Sequence, residues 1–330
     1  MAGEVKFIRT LLRHYEFTLG MVITGFFAVI AFAAPLLAPE SLITEEQEGL
    51  NLPAHFRMVG NHRQPLPQAP SQEAVLGTSG RQVDVYYSLV WGTRGAFQFG
   101  LPVAFGAALV GCLVGAFSGV FGGWANWLLM RLTDGFLTFP IIAGVVIANE
   151  AKRFLFYQLT AKYTFLLTPV SEMQGFHPIL ELLLSLQLVF ILFTWMPYAR
   201  LVNGMVLRLK SSEFVLAAEM VGATRGRIVS RHLIPNIIAP VIVLISRDIG
   251  AVVLLQAALT FTRFSGGSIW GSLLVFGRDF IMGNGGNPLR YWWVFIPPSL
   301  VIVLFGIGWS LIGDGLNEWL NPRTRFRPRL

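Results

Sequence analysis

Along this chain, long stretches without Asp, Glu, Lys or Arg alternate with short polar, mostly basic segments. Such a pattern predicts membrane-spanning helices, because a charge at the bilayer centre costs on the order of 3 kcal/mol. Six spans are expected. The first runs from Phe17 to Pro39, the second lies within Gly95 to Met130, and the third covers Gly135 to Asn149 with a helical lead-in from about Trp127. Leu182 to Ala199, His232 to Thr262 and Tyr291 to Gly313 supply the remaining three. Open sheets cannot satisfy their edges in lipid, so all are read as helices.

Composition supports this reading. Of 330 residues, 54% are hydrophobic and 13% charged, against the roughly 25% charged of an ordinary soluble domain. The basic balance, +7 at neutral pH, does not point to nucleic acid, because the Lys and Arg residues are scattered between apolar runs. With the N-terminus inside, residues 1–16, 122–133, 199–236 and 314–330 hold 14 of the 25 Lys and Arg, 10 fall outside and Arg247 lies in the membrane. Per residue the inside segments are then about twice as basic, which supports an N-in, C-in chain. The tail Arg323, Arg325, Arg327 and Arg329 contributes most clearly, and Trp91, Trp124, Trp127, Trp292, Trp293 and Trp319 all fall near expected span ends, where indoles prefer the interface. The single cysteine, Cys112, sits in an apolar run and is read as a packing residue.

The expected organisation is a cytoplasmic N-terminus and first span over 1–38, an extracytoplasmic loop over 39–95, and a five-helix core over 96–313, followed by a basic cytoplasmic tail over 314–330. Within the core, residues about 150–180 form an extracytoplasmic insertion and 202–236 a cytoplasmic loop. Phe154 to Ser171 is apolar but interrupted by Lys162 and ended by Pro169, and is read as an amphipathic or re-entrant element. Residues 17–34 also have the outline of a signal peptide, with Ala31-Phe32-Ala33 as the cleavage pattern, and are read as a retained span. The second span carries Ala107, Gly111, Gly115, Gly119 and Gly123, one small residue per turn, a stripe suited to close helix packing or to a sliding surface.

The most informative segment is Ser211 to Asn236. Ser211 or Ser212 is placed to cap a helix with Glu213 in its first turn, where the dipole favours an acid. Phe214, Ala218 and Val221 share one face beside Ala217. Gly222 suits the left-handed residue that ends a helix, Thr224 caps a second, and Pro235 is expected to stop it. An amphipathic hairpin resting on headgroups is one reading. Paired alanines are poor membrane anchors, however, and make a low-relief knob suited to a groove in another protein.

This segment resembles the EAA loop of ABC importer permeases, E-A-A-x3-G-x9-I-x-L-P, through Ala217, Ala218, Gly222, Ile234 at the Leu position and Pro235. The motif's leading Glu is Leu216 here, with Glu213 and Glu219 as neighbouring acids. Leu76-Gly77-Thr78, Phe121-Gly122-Gly123-Trp124 with Met130-Arg131 and Asp134, Trp270-Gly271-Ser272 with Gly277-Arg278-Asp279, and Gly313-Asp314-Gly315-Leu316 with Asn321-Pro322-Arg323 follow in order. Together these motifs are similar to the C-type permease subunit of dipeptide and oligopeptide ABC importers. The insertion at 150–180 and Thr262-Arg263-Phe264-Ser265-Gly266 depart from that pattern.

The resemblance implies an all-α permease fold in the cytoplasmic membrane of a bacterium or archaeon, paired with a second permease, two ATP-binding subunits and an extracytoplasmic substrate-binding protein. ATP and Mg would be held by the partner ATPases, which would push on Glu213, Phe214, Ala217, Ala218, Glu219, Gly222 and Pro235 to drive alternating access. Consistently, none of Lys6, Lys152, Lys162 and Lys210 follows a glycine, so the P-loop pattern is missing. His14, His55, His62, His177 and His232 include no i, i+4 pair, so no zinc-hydrolase motif is present, and no catalytic or metal-binding residue is assigned. Nickel, glutathione or oligosaccharide are alternative cargoes within the same family. Arg247 and Asp248, inside the fifth span, are read either as a structural pair or as residues lining the path and meeting a charged end of a peptide. An ion-coupled secondary transporter using them as a relay is the rival class, although no inverted repeat is evident.

Overall fold

The computed structural model describes residues 15–39, 55–59, 66–151, 154, 185–264, 267–283, 286, 287 and 289–320. Expectations for residues 1–14, most of the 150–180 insertion, Ser265-Gly266 and the Arg323–Arg329 tail lie outside the described residues. The described elements are helical. Among the described residues, five helices are long and apolar enough to cross a membrane, or six if one sharply bent pair is a single span. They fall into two compact units, within Met1–Leu101 and Ser246–Leu330, and within Pro102–Ile245.

In the first unit, α1 (Tyr15–Leu37) packs against α9 (Trp292–Leu320). The contact is close because glycines face it. A Cβ on Gly20 would come within 2.8 Å of the Ile312 backbone nitrogen, and one on Gly308 within 2.9 Å of Ile23 and Thr24 side chains. Small residues at such crossings allow the backbone approach that drives packing in lipid. An aromatic core fills the remaining space, with Phe305 edge-on to Phe27, Trp270 and Phe97 at centroid separations of 5.5, 5.5 and 5.3 Å.

Helix α2 (Val85–Phe121) has 37 residues, about 55 Å against a hydrocarbon core of about 30 Å, so it extends well beyond the bilayer. It starts ten residues before the expected Gly95 because Asp84 caps it, accepting from the Tyr87 N–H at 3.2 Å while its own carbonyl accepts from Ser88 Oγ at 2.8 Å. Arg57 meets the same carboxylate at 3.2 Å. Burial nevertheless dominates, and holds the Asp84 carboxyl above its ordinary value against the lowering by Tyr87 N–H and Arg57.

The preceding loop explains the Leu76-Gly77-Thr78 motif. Trp293 Nε1 donates to the Thr78 carbonyl at 3.1 Å, Ser79 Oγ to Leu273 O at 3.3 Å, and Gln82 Nε2 to Leu66 O at 2.7 Å. This knot ties the start of α2 to α9 and to α8 (Ile269–Met282), an amphipathic helix absent from the six expected spans.

In the second unit the expected third span proves to be two helices. α3 (Gly123–Thr138) and α4 (Ile141–Ala151) meet at 85°. Pro140 is the cause: it lacks an N–H and forces the residue before it out of the helical region, and Phe139 has φ −80°, ψ 125°. The second span ends at Phe121, inside the expected Gly95–Met130 range, where Gly122 adopts φ 64°. Gly123 therefore belongs to α3 and leaves the stripe. Gly111, Gly115 and Gly119 lie directly against α5 (Leu186–Lys210), where added Cβ atoms would overlap Trp195 O, Ala199 O and the Val206 side chain. The close-packing reading holds for those three.

Helix α5 continues eleven residues past the expected end at Ala199. Asn203, buried on its inner face, donates through Nδ2 to Ser118 Oγ at 2.7 Å and to Asn126 Oδ1 at 2.6 Å, joining α2, α3 and α5. Arg200 forks onto Asp134 of α3.

Candidate functional site

The loop after α5 forms the helix–turn–helix that its sequence predicts. α6 (Glu213–Met220) follows Ser211-Ser212 directly, with Glu213 in its first turn. Ser212 occupies the cap position, but its hydroxyl donates backward to Leu209 O rather than capping α6. Gly222 closes the helix at φ 84°, its N–H donating to Glu219 O at 2.9 Å and that of Ala223 to Ala218 O at 3.0 Å, the paired pattern of a left-handed C-cap. Thr224 Oγ1 then accepts from the Arg227 N–H at 3.4 Å and starts the next helix.

That helix, α7 (Gly226–Phe261), does not stop at Pro235 as expected. Val229–Leu233 forms a wider π turn, with the Ile234 N–H donating to Val229 O, and Pro235 is the second residue of the α-helical stretch Ile234–Phe261. A proline is tolerated near a helix start, where its missing N–H is not needed, and the π turn makes Pro235 the start of a regular segment.

Val215 is the one buried side chain of α6. It is fully buried and faces a cavity of about 100 Å³ lined by Val120, Lys210, Glu219, Ile228, Val229 and Leu233. Lys210 Nζ donates to Val120 O at 3.0 Å, placing a cation on the last carbonyls of α2, where the helix dipole favours it. The other apolar residues of α6 and its turn stay exposed: Phe214 at 45%, Leu216 at 47%, Met220 at 83% and Val221 at 89%. Ala217 is exposed and Ala218 half-buried, Glu213 is exposed, and Glu219 is exposed while also lining the edge of the cavity. The Phe214 ring lies 6.1 Å from that of His232 on α7. Large apolar residues exposed together on one short helix and its turn make a candidate contact surface. The face Phe214–Ala218–Val221 does not include Val215, which lies about 100° around the helix from Phe214, so its burial is not signalled by that stripe.

Arg247 and Asp248 lie on α7. Arg247 Nε faces Asp314 Oδ1 of α9 at 3.9 Å, both side chains about half exposed. Asp314 stands 22 residues beyond Trp292, about 33 Å along α9, which puts this pair toward one end of a span rather than at its middle. The sequence had named Asp314 only as part of Gly313-Asp314-Gly315. Among the described residues no cluster of three His, Cys, Asp or Glu is arranged to hold a metal.

The arrangement defines a polytopic helical membrane protein with a short helix, exposed along its apolar residues, set between two long helices. The chain belongs to the family described as binding-protein-dependent transport system inner membrane component, whose model matches residues 111–326. It is similar to the dipeptide transport system permease protein DppC of Alkalihalophilus pseudofirmus, 29% identical over 309 residues that cover 93% of this chain and 85% of that protein. It is also similar to the oligopeptide transport system permease protein OppC of Mycobacterium tuberculosis, 28% identical over 260 residues and 79% of each chain. The peptide-permease resemblance read from the motifs is thereby borne out, and the chain is a multi-pass transport component of the peptide ABC permease family.

Proposed function

We propose that this chain imports di- or oligopeptides as one of two permease subunits of an ATP-driven transporter, with both termini cytoplasmic. α6 docks into a groove of one of two ATP-binding subunits, which carry ATP and Mg, and an extracytoplasmic binding protein delivers the cargo. ATP-driven closure of the ATPases pushes on α6 and rocks the spans between outward and inward access. The observation that carries this reading is the exposed surface of α6 and its turn, where Phe214, Leu216, Ala217, Met220 and Val221 leave apolar surface uncovered while Val215 is buried beneath. Glu213 and Glu219 supply acids at its rim, Gly222 the sharp turn and Pro235 the restart of α7. Arg247 and Asp248 line the path beside Asp314, so neutralising Arg247 shifts the preference among charged peptides without loss of assembly.

Ala218→Arg tests the docking. Co-expressed with its permease and ATPase partners, the variant is expected to insert and melt like the wild type yet retain less than about a tenth of dipeptide uptake and of co-purifying ATPase, since a buried unpaired charge disrupts a packed interface. Wild-type uptake by the correctly inserted variant overturns the reading.

A further inference from the structure

Away from α6, within the first unit, three segments converge on an open cleft of about 190 Å³ lined by His55, Trp91, Arg94, Gly95 and Gln98 of α2, and Ile269 at the start of α8. Trp91 forms its fixed wall, buried and held by Nε1 donation to Ala38 O at 2.9 Å. The His55 imidazole stacks on that indole at 4.3 Å and 9°, from a backbone in the left-handed region at φ 71°. Such a conformation persists only where surrounding contacts hold it, and it clusters at ligand sites. The Arg94 guanidinium lies over the same indole, 5.6 Å from the ring centroid, half-buried. No carboxylate pairs with Arg94 among the described residues. Gln98 lies one turn further along the same face. Gly95 keeps the cleft open, since a Cβ there would meet only Ile269 Cδ1, at 3.8 Å.

The chemistry is that of a site for one end of an anion. Arg94 offers a permanent charge and a planar fork of donors, while Trp91 and Ile269 provide an apolar wall. The volume is below the roughly 300–1,000 Å³ of pockets that enclose a whole drug-sized ligand, so only a terminal group enters. Arg94 immediately precedes the charge-free stretch that begins at Gly95, which sets the cleft at the membrane surface rather than within the hydrocarbon.

We propose that this cleft binds the terminal carboxylate of a short peptide, with the last side chain against Trp91 and Ile269. The inference rests on the peptide-transport reading. A lipid phosphate is also an oxyanion, but it is flanked by substituents on both sides, whereas a terminal carboxylate enters end first.

The test uses the full chain in phosphatidylcholine nanodiscs and the photoreactive tripeptide benzoylphenylalanyl-alanyl-alanine, as free acid and as C-terminal amide, with labelled residues located by mass spectrometry. The acid is expected to label the cleft about tenfold more than the amide, and Arg94→Gln to remove that preference while Arg94→Lys keeps part of it. Gly95→Leu, which fills the cleft, is expected to reduce labelling of both forms. Equal labelling by acid and amide, or an unchanged preference in Arg94→Gln, overturns the proposal. Competition by added phosphatidylglycerol but not by trialanine also overturns it and assigns the cleft to a lipid headgroup. Because labelling needs no ATPase, its failure leaves the docking reading standing, and normal uptake by Ala218→Arg leaves the cleft standing.

Discussion

Two helices in this protein end in the same hydrogen-bond pattern with different residues at the critical position, and exchanging them predicts opposite effects. At the end of α6 the left-handed residue is Gly222, at φ 84°. At the end of α7 it is Arg263, at φ 63°, with its N–H on Thr260 O at 3.0 Å and that of Phe264 on Leu259 O at 3.1 Å. A side chain in this region costs roughly 1–2 kcal/mol from the clash between Cβ and carbonyl oxygen, a cost glycine escapes. Arg263→Gly is therefore expected to stabilise the protein by about 1 kcal/mol, less whatever the exposed Arg263 side chain contributes, raising the melting temperature on the order of 2 °C. Cys112 is the chain's one thiol and is half-buried in α2, so a thiol-reactive dye reports the melt directly. Gly222→Ala has open space around its new Cβ, so the cost is one of backbone alone. It is expected to weaken the α6 cap by about 1 kcal/mol, read as roughly fivefold faster amide exchange confined to α6 and its turn. A lower melting temperature for Arg263→Gly, or unchanged α6 exchange in Gly222→Ala, refutes the argument.

Two further outcomes follow from packing and charge. Gly115→Leu forces a side chain into the Ala199 carbonyl and the Val202 side chain of α5 and is expected to cost several kcal/mol, seen as loss of monodisperse protein in detergent, whereas Gly204→Ala, with open space, is expected to be neutral or stabilising. Because burial holds the Asp84 carboxyl above its ordinary value, the native state takes up its proton before the unfolded chain does. That contribution to stability is present in acid and lost as pH rises through the raised value, so Asp84→Asn, which keeps an acceptor for Tyr87 N–H, is expected to gain on the wild type at neutral pH and to lose that advantage as pH falls.

Charge-free runs located the spans well because insertion energetics act through local composition. They could not reveal α8, whose Arg278 and Asp279 interrupt any apolar window, although Trp270, Leu273 and Gly277 are buried at helical spacing. Pro140 carried a visible signal, but reading Gly135 to Asn149 as continuous ignored its effect on Phe139. Pro235 misled in the opposite sense, because the π turn before it is a backbone adjustment without a composition signature. The Gly222 turn and the Thr224 cap were legible because both are built from neighbours in sequence. The Arg247–Asp314 contact and the Trp293–Thr78 tie join residues far apart in the chain, and only the folded packing brings them together.

The glycine stripe, read from sequence as either a seam or a sliding surface, bears on how a push on α6 would travel. Val215 seats α6 in a hollow made by the ends of α2, α5 and α7. Lys210, at the end of α5, bonds the last turn of α2, and one buried amide, Asn203, joins α2, α3 and α5 about two turns deeper along α5. Gly119, between these ties, and Gly115, just beyond them, bring α2 against α5 so closely that a single methyl does not fit. A seam with that little clearance does not slide by a fraction of a turn, since packed interfaces shift between discrete states rather than deform continuously. Force applied to Phe214 and Ala218 in the proposed complex would therefore move the ends of α2, α3 and α5 together as one lever. On this reasoning Asn203→Leu, which keeps the volume and removes the three-helix tie, lowers uptake per ATP hydrolysed while leaving ATPase recruitment by α6 intact.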